Sequence, residues 1–131
     1  MDIDIFLIND VFLFDSGNNF ICLRCGRSPR VKRLSLLESS CLKLLLIRQE
    51  ESLLVNVFIE GVFKMHQLTF SCIDVYQAMS ELQKVLEEYA SECTLNIETY
   101  LGGYKLSDNI YWKKINESSG EQTTGFKLSS G

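Results

Sequence analysis

The sequence predicts a single α+β domain in which a small antiparallel sheet precedes three helices and a C-terminal β-hairpin. Three observations support this prediction. The first third of the chain is rich in β-branched and aromatic residues between turn residues, the middle changes to helical spacing, and the glycine pair Gly102-Gly103 separates two short β-rich segments. Strands and helices do not alternate along the chain, which argues against a doubly wound parallel sheet.

The composition of the 131-residue chain fits one globular domain with a short tail. The chain is 46% hydrophobic and carries a net charge of −4. That apolar fraction argues against wholesale disorder, and the acidic balance argues against unselective binding of polyanions. We predict that residues 1–116 form the domain. Residues 117–131 are rich in Ser, Gly, Thr and charge, which is typical of a flexible linker or tail.

The N-terminal third of the chain predicts four short strands. Residues 3–14 are apolar except near a turn at Asn9-Asp10, so this segment predicts a hairpin. Residues 20–24 and 30–34 predict two further strands. Together these segments predict an antiparallel sheet.

The first helix is predicted at residues 36–50. Ser35 is a candidate N-cap and Glu38 follows three residues later, which is the spacing of a capping box. Residues 53–63 are ambiguous, because their composition favours a strand while their apolar positions also fit one face of a helix.

A third and longer helix is predicted to begin after Thr69 or Ser71 and to end near Tyr89. Its apolar positions follow a 4-3-4 spacing, which predicts a buried stripe formed by Val75, Met79, Leu82 and Leu86. The aromatic side chains that we also assign to the core are Phe58, Phe63, Phe70 and Tyr89. After this helix, residues 95–100 and 104–106 predict a hairpin.

Three segments resemble motifs of the OmpR/ToxR/CadC-type winged helix-turn-helix domain. Gln77-Ala-Met-Ser-Glu-Leu-Gln-Lys-Val-Leu resembles the recognition-helix pattern A-I-S-x-L-R-K-x-L. Ile97-Glu-Thr-Tyr-Leu-Gly-Gly-Tyr-Lys-Leu is similar to the wing pattern I-x-T-V-x-x-x-G-Y-x-L, and residues 33–45 are similar to the first helix, L-x-x-x-E-x-x-L-L. The motifs lie in the family's order, and the resemblance covers residues 5–107.

The resemblance implies that the third helix enters the major groove of DNA and that the wing touches the adjacent minor groove or backbone. Gln side chains can read adenine, Lys can reach guanine or phosphate, and Ser can contact either. The alternative for the same side chains is an ordinary solvated helix face. The predicted DNA-binding residues are Ser71, Tyr76, Gln77, Ser80, Gln83, Lys84, Thr99 and Lys105.

The resemblance to the ToxR/CadC branch also implies partners and a location. In that branch the DNA-binding domain is cytoplasmic and N-terminal, and a membrane span follows, which here would lie beyond residue 131. The implied partners of this bacterial, inner-membrane-anchored parent are promoter DNA and RNA polymerase or a homologous regulator, in a homodimer or heterodimer. ToxR-like regulators often control virulence genes.

Two departures from the family pattern leave a second hypothesis open. The family's arginine after the helix leucine is Gln83 here, and basic residues common at the wing tip are replaced by Leu101 and Gly102. Fewer cations weaken attraction to phosphate. The alternative is therefore a protein-interaction module of the same fold, which pairs with a homologous DNA-binding regulator and binds DNA weakly itself.

Other chemistry is poorly supported by the sequence. Cys22 and Cys25 form a C-x-x-C, but a zinc site normally needs a second close pair of ligands, and His66 is the single histidine. We predict reduced, metal-free cysteines, no cofactor and no enzymatic activity. The five cations between Arg24 and Arg33 could contact phosphate, an acidic partner or solvent.

Overall fold

A computed structural model describes residues 4–23, 30–88, 95–116 and 121–125. Its elements confirm the predicted fold class, with an antiparallel sheet, three helices and a hairpin. In chain order they are β1 (Ile5–Ile8), β2 (Phe12–Asp15), β3 (Phe20–Leu23), β4 (Arg30–Arg33), α1 (Leu36–Ile47), α2 (Val55–His66), α3 (Cys72–Glu87), β5 (Ile97–Tyr100), β6 (Gly103–Leu106), β7 (Trp112–Asn116) and β8 (Glu121–Gly125).

The larger sheet has six antiparallel strands in the order β4-β3-β2-β1-β7-β8. Its two C-terminal strands were not predicted. Trp112 of β7 packs edge-on against the ring of Phe6 at 5.2 Å and donates its indole N–H to the carbonyl of Leu46. Strand β8 lies inside the segment 117–131 that we expected to be a linker, and it pairs with β7 along its whole length. The remainder of that segment, and Tyr89, lie outside the described residues.

Both predicted helix starts have side-chain caps. The Ser35 hydroxyl accepts from the Glu38 N–H, and the Glu38 carboxylate accepts from the Ser35 N–H, so the predicted capping box is present. Ser71 and Asp74 form a second capping box at α3, which identifies Ser71 rather than Thr69 as the N-cap. Each box satisfies two amides that would otherwise lack partners at the helix start.

The ambiguous segment after α1 forms helix α2, which buries Phe58 and Val62. The prediction that Phe63 is buried is wrong, since its side chain is 48% exposed. The reason is helical geometry, because Phe63 is one residue, or about 100°, away from the buried Val62 position. Phe70 is half-buried against the core.

Within the described residues, one hydrophobic cluster joins the sheet to the helices. It contains the predicted α3 stripe, whose four members are at most 1% exposed. Helix α1 is buried along most of its length and contacts both α2 and α3. Within the described ranges, none of the helices is long and apolar enough to cross a bilayer.

Candidate nucleic-acid interface

Helix α3 presents to solvent a continuous face of polar, aromatic and aliphatic side chains. Because its opposite face is buried in the core, the helix is fixed in orientation and its solvent side is uncovered in the described residues. Ile73 is 66% and Tyr76 is 51% exposed, and Gln77 and Ser80 lie beside them. The spacing of residues 73, 77, 80 and 84 places them on one ridge of the helix. Their side chains can therefore contact one continuous surface.

The wing is a β-hairpin formed by β5 and β6, which are joined by a two-residue turn. Leu101 and Gly102 occupy the turn with φ angles of +53° and +78°, the combination of a type I′ turn. A leucine in this region is strained, and its side chain is 78% exposed at the tip. Gly103 begins β6, and a Cβ there would approach the Leu53 carbonyl to 2.6 Å, so the site requires glycine.

Several contacts connect the wing to α3, to α2 and to the segment before α2. The Gln83 amide of α3 donates to the Ile97 carbonyl at 3.3 Å. Tyr104 packs edge-on against Phe58 of α2 at 6.2 Å, and its backbone pairs with that of Leu53 just before α2. The exposed α3 face and the wing therefore form one connected surface.

The side chain of Tyr104 is half-buried at the base of the wing. Burial raises its pKa, and the neighbouring phenol of Tyr76 and thiol of Cys41 raise the pKa further. Tyr76 on the exposed face of α3 therefore lies near the base of the wing.

The two predicted cationic residues of this surface are both paired. Lys84 lies 3.3 Å from the Glu81 carboxylate. The Lys105 side chain is only 20% exposed, lies 3.7 Å from Asp108 and sits over the Tyr100 ring at 5.6 Å. With Glu87 and Glu98 also exposed nearby in sequence, the candidate interface carries more acid than free cation among the described residues.

The predicted site residues fall into two groups. Tyr76, Gln77, Ser80, Lys84 and Thr99 are exposed on α3 and β5. The other three members make contacts within the fold. The Ser71 hydroxyl accepts the capping bond from the Asp74 N–H, and the half-buried Gln83 donates to the wing. Lys105 pairs with Asp108. DNA contact by any of them stays a prediction.

The position of Gln83 could have been read from the helical spacing. Gln83 is four residues after Met79 and three before Leu86, so it flanks the buried stripe. The predicted site residues did not include the apolar wing tip. Tyr100 is 55% exposed beside Leu101, and Leu54 at the start of α2 is 49% exposed.

Of the basic segment formed by residues 24–33, the structure describes residues 30–33. Strand β4 holds Arg30, Lys32 and Arg33 at the edge of the large sheet, and Lys32 pairs with Glu88 after α3 at 3.2 Å. Arg24, Arg27 and Cys25 lie outside the described residues. Across the described ranges, no three His, Cys, Asp or Glu side chains are close enough together to hold a metal ion.

This architecture defines a winged helix-turn-helix domain. The same fold occurs in the DNA-binding domain of E. coli CadC, which is 23% identical to this chain, with a TM-score of 0.62. The likeness covers 81% of this chain and 95% of that chain, and it confirms the fold that the three motifs predict. No protein-family model and no curated protein sequence matches the chain.

Proposed function

We propose that this chain is the sequence-specific DNA-binding domain of a transcription regulator, with α3 as the recognition helix. The observation that carries the proposal is the uncovered ridge of α3, where Tyr76, Gln77 and Ser80 offer hydrogen-bonding groups beside the wing. An α-helix fits the major groove, and amide side chains there can distinguish adenine from other bases. The fold shared with the CadC DNA-binding domain supports the same role.

The two glutamines of α3 have different roles in this proposal. Gln77 is exposed and reads a base edge, whereas Gln83 holds the wing strand against the helix. Ser80 and Thr99 contact base or backbone atoms, and Lys84 and Lys105 contact phosphate after release from Glu81 and Asp108. The Lys84–Glu81 pair is exposed and Asp108 of the other pair is 83% exposed, so both pairs are weak enough to exchange for phosphate contacts.

The wider setting is proposed from the resemblance alone. The parent is a bacterial, ToxR-like regulator whose cytoplasmic domain is this chain and whose inner-membrane span lies beyond it. It acts on promoter DNA together with RNA polymerase or a homologous regulator, as a homodimer or heterodimer, and virulence genes are the proposed targets. No catalytic step is part of the proposal.

A second candidate is favoured by the charge and apolar exposure of the same surface. Both of its predicted cationic residues face carboxylates, and the wing tip presents Leu101 and Tyr100 where phosphate contacts would need cations. Such a surface suits a protein partner better than a polyanion. The chain would then be an interaction module that brings a homologous DNA-binding regulator to its site.

Selection from a random duplex library distinguishes the two candidates. The proposal predicts enrichment of one sequence at low salt, and competition by that sequence far above competition by random DNA. Gln77→Ala should remove the preference, while the matched variant Glu60→Gln on the exposed side of α2 should keep it. Absence of enrichment at low salt, together with binding of a homologous regulator through α3, would support the interaction module instead.

A further inference from the structure

A groove runs along the side of α3, next to the candidate nucleic-acid interface. It has a volume of about 500 Å³ and lies between the start of α1, the segment before α3 and the first half of α3. Its lining includes the apolar residues Leu36, Leu37, Phe70 and Ala78. Leu68 contributes a side chain that is 45% exposed. Leu37 and Ala78 belong to the core, whereas Leu36, Leu68 and Phe70 leave apolar surface open to solvent, and exposed apolar surface of this kind can mark an interaction site.

Three carboxylates line the same groove, and the part of its lining that the structure describes has no Lys, Arg or His. They belong to Glu38, Asp74 and Glu81. Glu38 and Asp74 are held in place by the capping boxes, in which one oxygen of each accepts an N-cap amide at 2.9 Å. The capping boxes use one oxygen of each carboxylate, so the second can accept from a donor of a bound partner. The carboxylates of Glu38 and Asp74 are thus fixed acceptors beside an apolar groove, and fixed groups lose little freedom on binding, whereas the exposed Glu81 carboxylate lies 3.3 Å from the Lys84 ammonium group.

We propose that this groove docks a cationic, amphipathic segment of a partner protein. Apolar side chains of the segment fill the space between Leu37, Leu68 and Phe70, and its Lys or Arg groups pair with the three carboxylates. Charge complementarity selects this occupant, because an anionic segment or a nucleic acid would be repelled there. A helix with anchors at i, i+3, i+4 and i+7 fits the recognition of a groove by one helical face.

The groove also affects DNA binding, an inference that rests on the proposed function. Gln77 and Glu81 belong both to the groove lining and to the exposed side of α3. Cations of the docked segment would offset the charge of Asp74 and Glu81, which otherwise repels phosphate. The partner should therefore raise the affinity for DNA, and thermodynamic linkage then requires DNA to raise the affinity for the partner by the same factor.

The test uses a labelled synthetic peptide with Leu at i, i+3, i+4 and i+7 and Lys at the remaining positions. Fluorescence anisotropy with the full chain, in the absence of DNA, should show binding. Glu81→Gln should weaken binding by up to about fivefold, the upper end of the range of an exposed ion pair. Leu68→Gln should weaken it about tenfold, as loss of an apolar anchor does. Glu60→Gln, which removes an equal charge elsewhere, should leave binding unchanged.

Several outcomes would overturn the inference. One is equal binding of a peptide in which Ser replaces every Leu, because charge alone would then explain the signal. Another is that Leu68→Gln and Glu81→Gln bind the peptide as tightly as the wild type does, while circular dichroism shows that both variants are folded. Self-association of the chain that is lost in Leu68→Gln, measured by sedimentation, would make the occupant a second copy. DNA binding without peptide is measured separately, so failure of the groove and failure of the proposed function are distinguishable.

Discussion

The ammonium group of Lys84 lies 3.3 Å from the carboxylate of Glu81, one helical turn earlier on the exposed side of α3. The two side chains are 67% and 57% exposed, so water screens the pair and its contribution to folding is small. The pair instead determines how much positive charge α3 offers to a phosphate. If α3 binds DNA, Glu81 opposes that binding.

The first prediction follows from this pair. Lys84→Ala should weaken binding to all DNA sequences and flatten the plot of log K against log salt by about one unit, the effect of one lost phosphate contact. Glu81→Gln should raise the affinity for DNA at low salt. Anisotropy titrations over a salt series measure both effects. Equal slopes for wild type and Lys84→Ala would place this side chain away from phosphate.

The two glutamines of α3 should respond differently to alanine substitution. Gln83→Ala removes the hydrogen bond to the Ile97 carbonyl, so we expect a loss of about 0.5–1.5 kcal/mol in the free energy of unfolding. Gln77→Ala should leave stability unchanged and cost about 1–3 kcal/mol of binding to the preferred DNA sequence. Urea denaturation and DNA titration of both variants provide the comparison. The opposite pattern would reverse the two roles.

The wing turn should become more stable when Leu101 is replaced by asparagine. Leu101 has a φ of +53°, a conformation that costs an ordinary L-residue about 1–2 kcal/mol, and Asn-Gly is preferred in this turn. Leu101→Asn should therefore raise the thermal midpoint. Gly103→Ala is the contrasting variant, since its Cβ would meet the Leu53 carbonyl and should lower the midpoint. A lower midpoint for Leu101→Asn would mean that apolar contacts of the tip outweigh its strain.

Acid should destabilise the domain partly through Asp4. Burial raises the pKa of this carboxyl, but hydrogen bonds and charge from Lys43 of α1 and Lys114 of β7 outweigh burial and leave the pKa below its usual value. A lowered folded-state pKa stabilises the fold above the unfolded value, and that contribution is lost as the pH falls through the folded one. Asp4→Asn should be less stable at neutral pH by about 1–3 kcal/mol and lose less stability in acid. If the free energy of unfolding fell by the same amount in acid for the wild type and for Asp4→Asn, this prediction would be contradicted.

Two cysteines should differ sharply in reactivity. Burial, with the charge of Glu38 as a smaller cause, raises the pKa of the Cys41 thiol to about 12, whereas Cys72 is exposed at the first turn of α3. Because the thiolate is the reactive form, an alkylating reagent at mildly alkaline pH should modify Cys72 first and Cys41 only after unfolding. Peptide mass mapping after timed labelling separates the two sites. Early labelling of Cys41 in the folded chain would refute its burial.

The elements that the sequence predicted correctly are those that depend on side chains close together in the chain. The capping spacing at Ser35 and the 4-3-4 stripe of α3 depend on side chains within a few residues, and both are present. Strand β7 could not be predicted in the same way, since Trp112 pairs with Ile8 across the length of the domain. The ion pairs of Lys84 and Lys105 are local but depend on rotamers, so the sequence suggested free cations where the structure has paired ones.

The most direct test of the central claim is to map where DNA touches the folded chain. Amide chemical shifts of the labelled domain would be followed during titration with the DNA sequence enriched by selection. DNA binding through α3 and the wing predicts shifts concentrated at residues 73–84 and 98–101, with the large sheet unaffected. Shifts confined to the sheet, or no shifts at any low-salt DNA concentration while a protein partner perturbs residues 73–84, would contradict it.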